Sequence, residues 1–221
     1  MAVFPLNIHS LIFKKKFGKL GLKHIIKYML LPVFSVYLVV TVVAFLSNLW
    51  TKDDRFAAIL LSAHAITDHD HWAPPIAFIG SYPAWTLYFN ARGLRTDYIF
   101  SATKEDFMRV LQDDKFQSIV LVGHGSYNCW RATDALVTNN DIHRMAGRFR
   151  EKKGEWFQLS CPERDYTEIH LGELVMNSEN VYYYQGDTAG NVDFVIDALT
   201  AFTHIKADTR ASRKTANRRR R

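Results

Sequence analysis

Cysteine is scarce: the 221 residues contain two, Cys129 and Cys161. So few exclude a disulfide framework, and their spacing matches no zinc site. Charge is missing altogether between Lys27 and Lys52, a stretch of 24 residues. Positive charge is sparse on the body of the chain, where residues 28–205 hold 14 basic and 21 acidic side chains. The formal charge of +6 comes from the ends: residues 1–27 carry six lysines and no acid, and residues 206–221 carry eight basic residues and one acid. A folded nucleic-acid reader carries its positive charge on the domain itself, so a nucleic-acid partner is not expected. The final segment 206–221, polar and without aromatics, reads as a disordered basic tail. A Gly-x-Ser-x-Gly turn is absent as well: Ser126 follows an apolar run but has no second glycine, which excludes a serine-hydrolase elbow.

The uncharged stretch, residues 28–51, reads as a transmembrane helix. At 1.5 Å per residue it reaches about 36 Å, enough for a hydrocarbon core of roughly 30 Å. Tyr28 and Trp50 stand near its ends, where amphipathic rings favour the interface. "AFLSNLW" offers no small-x-small cleavage site, so the segment is expected to remain as an anchor rather than to be removed as a signal peptide. Six lysines precede it, whereas Lys52 and Arg55 follow it. The positive-inside rule therefore places residues 1–27 in the cytoplasm and the rest on the outer, periplasmic or extracellular side.

Beyond a juxtamembrane linker at 52–74, strands and helices are predicted to alternate through 75–205. "PIAFIG" (75–80) reads as a strand, "YPAWTLYFNARG" as a short helix stopped by Gly93, and "RTDYIF" (95–100) as a second strand. Thr103, with Asp106 three residues on, opens a helix whose apolar face is Phe107, Val110 and Leu111. "FQSIVLVG" is the strongest strand of the chain. A helix follows over "TNNDIHRMAGRFREKKG", with Ile142, Met145 and Phe149 on one side. Next come a strand at "EWFQLS", a helix at "LGELVMNSE", a strand at "NVYYYQG" and a closing helix at "NVDFVIDALTAF". The alternation implies an α/β fold, a mostly parallel sheet covered on both faces.

In such folds sites are built beyond the carboxyl ends of the strands. "SIVLVGHGS" (118–126) ends a buried strand on His124, set between two glycines, and "EWFQLSCP" ends the next strand on Cys161. Neighbouring parallel strands lie about 4.8 Å apart, so adjacent strand ends can bring an imidazole and a thiol together. An imidazole promotes loss of the thiol proton and creates a nucleophile, and the backbone N–H groups of Gly125 and Cys161 could face a developing oxyanion.

Strand, His-Gly, a second strand and then cysteine resembles the caspase, legumain, gingipain and separase-related cysteine peptidases (clan CD) and the related CHAT domains. The matching residues are "SIVLVGHG" and "WFQLSC", and the resemblance covers most of 75–200. It implies a caspase-like three-layer α/β domain over 75–205, with His124 and Cys161 as the catalytic dyad and Gly125 in the oxyanion hole. A protein or peptide would be the substrate, and no cofactor is implied. The chain departs from the caspase form Gln-Ala-Cys-x-Gly, since it reads Gln158-Leu159-Ser160-Cys161-Pro162. Its His-to-Cys spacing of 37 residues is shorter than the roughly 50 of caspases.

Three further features complete the reading. His64, Asp68, His69, Asp70 and His71 are dense in metal-binding side chains, but their spacing fits no closed site, and they are read as a solvated linker with no metal assigned. Cys129, in the loop after His124, is expected to be packed under Trp130 rather than to be a substrate-side loop residue. Asp187, just beyond the "YYYQG" strand, is the candidate for holding a basic substrate side chain.

Overall fold

The structure is a computed structural model that describes residues 26–63, 73–126, 128–159 and 169–183. The chain divides into two compact units, Met1–Val43 and Ala44–Arg221. In the first, a π-turn at Ile26–Leu30 leads into helix α1, which begins the run Leu31–Trp50. The wider π-turn accommodates Pro32, whose ring would clash with the carbonyl four residues back in a continuous α-helix. α1 is long and apolar enough to cross a membrane. Two of its hydroxyls are satisfied within the helix: Ser35 donates to the Leu31 carbonyl and Thr41 to the Tyr37 carbonyl, each at 2.8 Å.

The second unit contains a five-stranded sheet in the order β2-β1-β3-β7-β8, every described pair parallel. The strands are β1 (Phe56–Leu61), β2 (Arg95–Phe100), β3 (Phe116–Val122), β7 (Trp156–Leu159) and β8 (Val181–Tyr183). A small antiparallel sheet, β4 (Gly125–Ser126), β5 (Cys129–Arg131) and β6 (Leu136–Thr138), is inserted after β3. Among the described residues the unit also holds helices α2 (Ala73–Asn90), α3 (Lys104–Gln112) and α4 (Asn139–Arg144) and short 3-10 turns at Leu171–Leu174 and Ser178–Asn180.

Strand alternation divides the core in two. Ala57, Ile59 and Leu61 of β1, Val120 and Val122 of β3, Phe157 of β7 and Tyr182 of β8 face Trp85, Tyr88 and Phe89 of α2. Ala58 and Leu60, Ile119 and Leu121, Trp156 and Val181 face the other way, onto Phe107, Val110 and Leu111 of α3 and Trp130 and Val137 of the small sheet. The sheet is thus covered on both faces, as the alternation implies. His124 follows β3, the middle strand.

Several boundaries differ from the sequence reading. The segment expected to be a linker at 52–74 contains β1, which lies between β2 and β3. Its burial on both faces explains the unbroken apolar run "FAAILL". "PIAFIG" is not a strand but the start of α2. Pro74 and Pro75 occupy the first turn, where a missing N–H costs nothing, and apolar residues all round the helix leave no polar stripe to mark it. Gly93, at φ +76°, does stop α2: its N–H bonds to the Asn90 carbonyl and that of Leu94 to the Phe89 carbonyl, a Schellman closure.

The helix expected over 138–154 ends at Arg144, and Gly147 at φ +83° turns the chain away. "LGELVMNSE" forms the two 3-10 turns rather than a helix. The Thr103–Asp106 capping box is complete, with the Asp106 N–H donating to Thr103 Oγ1 at 3.1 Å and the Thr103 N–H to Asp106 Oδ2 at 3.0 Å. The closing helix and the basic tail lie outside the described residues.

The last two turns of α1, from Ala44, belong to the second unit. There Asn48 covers the exposed edge of β2, accepting from the Thr96 N–H at 2.8 Å and donating to the Thr96 carbonyl at 3.2 Å. Asn90, from the end of α2, donates to Asn48 Oδ1 at 3.0 Å. A side-chain amide thereby satisfies an edge strand that otherwise invites pairing.

Candidate active site

For parallel strands in this order the winding reverses between β1 and β3, where ligand crevices open at the carboxyl ends. The ladder persists to Gly123: the Ser62 N–H donates to the Val122 carbonyl at 3.0 Å and the Gly123 N–H to the Leu159 carbonyl at 3.3 Å. Three segments converge on Gly123. A Cβ there would stand 2.9 Å from the Ser62 Cβ and 3.1 Å from Trp130 Nε1, so no larger residue fits. The chain then leaves the sheet at His124, which is half-buried.

His124 opens the β4–β5 hairpin. Its carbonyl accepts the Arg131 N–H at 2.8 Å, and the register continues with Gly125 opposite Trp130 and Ser126 opposite Cys129. The alternation sends Trp130, fully buried, into the core and places His124, Ser126, Cys129 and Arg131 on the outward side. Gly125 faces Trp130 at the position between two bonded pairs, so its N–H is directed away from β5. A Cβ at Gly125 would stand 2.5 Å from the Cys129 carbonyl oxygen, so glycine is required for the hairpin to close.

Of the residues singled out in the sequence, His124 and Gly125 therefore stand at the expected sheet edge. β3 and β7 are neighbours, with Val122 paired to Leu159, the last described residue before Ser160. Cys161, Asp187 and the His64–His71 group lie outside the described residues. Cys129 is not packed under Trp130: strand alternation puts it on the opposite side of the hairpin, half-exposed, with its Sγ 3.1 Å from Ser126 Oγ. Among the described residues no group of three His, Cys, Asp or Glu side chains could hold a metal ion.

Two residues near His124 escaped the sequence reading. Arg131, exposed, pairs with His124 across the hairpin. Gln158, 1% exposed, reaches from β7 to the hairpin and donates from Nε2 to the Ser126 carbonyl at 2.6 Å and the Cys129 carbonyl at 3.0 Å. Its signal was a lone carboxamide within the apolar run "WFQL".

The remaining supports are structural. The β5–β6 turn closes over the ends of β1 and β2, where Thr133 Oγ1 accepts the Ala63 N–H at 3.0 Å and the Thr133 N–H donates to the Ala102 carbonyl at 2.8 Å. Beneath it Asp141 holds Lys104 Nζ at 2.7 Å and caps α4 through the Thr138 N–H and hydroxyl, both at 2.9 Å. Burial pushes the Asp141 carboxyl up, but the hydrogen bonds from Lys104 and Thr138 outweigh it and hold the group below the usual carboxylate range. A cavity of about 260 Å³ lies at the opposite, amino edge of the sheet, lined by Arg55, Arg92, Lys153 and Glu155 among others. There Arg92 and Glu155 pair with each other at 3.2 Å.

No family model matches the chain, and no curated protein matches it in sequence.

Proposed function

We propose that this chain is a membrane-anchored cysteine peptidase of caspase-like fold, in which His124 and Cys161 form the catalytic dyad. The observation that carries the reading is the adjacency of β3 and β7 as parallel neighbours. His124 follows one, and a single residue, Ser160, separates the end of the other from Cys161, a two-residue step of at most about 7 Å. His124 takes the proton from the Cys161 thiol, and the thiolate adds to the carbonyl carbon of a peptide bond. The Gly125 N–H, turned away from β5, supports this role by being free of that strand for the developing oxyanion. Collapse breaks the C–N bond, and His124 returns the proton to the leaving amine. Water then attacks the thioester, His124 accepting its proton, and the carboxylate product leaves with Cys161 restored. α1 anchors the enzyme, with residues 1–27 in the cytoplasm and the catalytic unit on the outer side.

The test follows alkylation of Cys161 in the detergent-solubilised full chain as pH is raised, read at peptide level so that Cys129 is scored separately. A catalytic thiol reacts well below the reference pKa of about 8.5 and slows in His124→Ala. A Cys161 rate that rises only above that value, unchanged in His124→Ala, would falsify the dyad.

A second reading rests on the glycines: both flanking His124 are demanded by packing alone. On this reading the domain is an inactive, membrane-tethered binding module, consistent with proline directly after Cys161. The same alkylation profile separates the two.

A further inference from the structure

We infer that Gln158 is a positioning residue that sets the place of His124 relative to the carboxyl end of β7; this inference rests on the dyad reading. Gln158 is a polar side chain in a strand whose neighbours Trp156, Phe157 and Leu159 are all apolar, and it is 1% exposed. Burying a carboxamide is unfavourable unless hydrogen bonds replace its water. Here both Nε2 protons are used, on the Ser126 carbonyl at 2.6 Å and the Cys129 carbonyl at 3.0 Å.

Those carbonyls flank the tip of the β4–β5 hairpin. His124 lies two residues before Ser126 in the same hairpin and bonds across it to Arg131. The segment bearing His124 is thus tied to β7 on both sides: before it by the backbone bond from the Gly123 N–H to the Leu159 carbonyl at 3.3 Å, and at the hairpin tip by the Gln158 side chain. The other supports of the hairpin, Trp130 in the core and pairing with β6, do not orient the tip toward β7 by a hydrogen bond.

The chemistry of the grip explains the residue type. A glutamate would direct an acceptor-only carboxylate at two carbonyl oxygens, and a leucine would leave both without this donor. Asparagine keeps the donors but falls one methylene short. An imidazole lowers a thiol pKa only at close range, so a hairpin released from β7 weakens the pairing without unfolding the sheet.

The experiment compares wild type with Gln158→Leu, Gln158→Glu and Gln158→Asn in the full chain. It uses the peptide-level pH profile of Cys161 alkylation by iodoacetamide, with His124→Ala alongside and thermal unfolding as the check on folding. The Leu and Glu variants are expected to shift the midpoint upward by about one pH unit, a tenfold loss of rate at pH values below both midpoints, with Asn between them and wild type. A purely structural role would lower the melting temperature and leave the midpoint in place. If Leu or Glu fails to fold, the Asn variant, which keeps the amide donors, decides. A shifted profile in His124→Ala beside unchanged profiles in folded Gln158 variants overturns the positioning role and leaves the dyad standing. An unchanged profile in His124→Ala overturns both.

Discussion

Replacing Asn48 by alanine tests whether the end of the apolar helix is part of the folded domain. In the structure the Thr96 N–H has its acceptor in Asn48 Oδ1 at 2.8 Å, and Thr96 is 7% exposed. Asn48→Ala strands that buried donor, which costs about 1–3 kcal/mol, and removes the bond to the Thr96 carbonyl. Partial entry of water at this edge strand places the expected loss near 2 kcal/mol. For a unit of this size that is roughly 4–8 °C in melting temperature. The sharper assay is hydrogen exchange. Opening at Thr96 becomes easier by the same amount, so its amide exchanges about 30-fold faster. Arg95, whose N–H donates to the Arg55 carbonyl inside the sheet, serves as the internal reference. Asn48→Asp keeps the acceptor but sets a carboxylate beside the Thr96 carbonyl, so it should destabilise while still protecting the amide. Unchanged exchange at Thr96 in Asn48→Ala would refute the docking and return Asn48 to a simple position in the span.

Phe157 lies between Trp85 and Tyr182, with ring centroids 4.9 Å from each, and is 2% exposed. Phe157→Ala should cost about 3–5 kcal/mol in chemical denaturation, and a loss below about 1 kcal/mol would mean that α2 does not cover this face of the sheet. Asp141 has its carboxyl held below the usual range, so its contribution is present above the unfolded value near 3.9 and disappears as pH falls through the folded one. Asp141→Asn should therefore be less stable than wild type at pH ~6, with the gap closing as the pH falls below the unfolded value, and a gap that does not change with pH would exclude an ionised Asp141 as its source.

Much of the sheet could be read along the chain because buried parallel strands and capped helices are local patterns. "RTDYIF", "FQSIVLV" and "WFQL" are strands, and the Thr103–Asp106 box begins α3 where two side chains three residues apart can satisfy each other's backbone. β1 and α2 were misread for the opposite reason. Their identity depends on being covered on both sides, and an apolar run does not state whether it is covered as a strand or as a helix. The site was legible to a similar depth: His124 at a strand end follows from the order of residues, whereas Gln158 becomes visible only once β7 and the hairpin are side by side.

What the sequence determined by itself is the apolar span, the acidic body between basic ends, and the alternation that makes a covered parallel sheet, since each depends on residues close together in the chain. Only the tertiary structure decided that β3 and β7 are neighbours, that Asn48 belongs to the edge of β2, and that a buried glutamine ties His124's hairpin to the strand before Cys161. Those pairings join residues separated by 29 to 48 positions. Hydrogen bonds at such separations are selected by the packing of the whole core, for which no single segment carries the information.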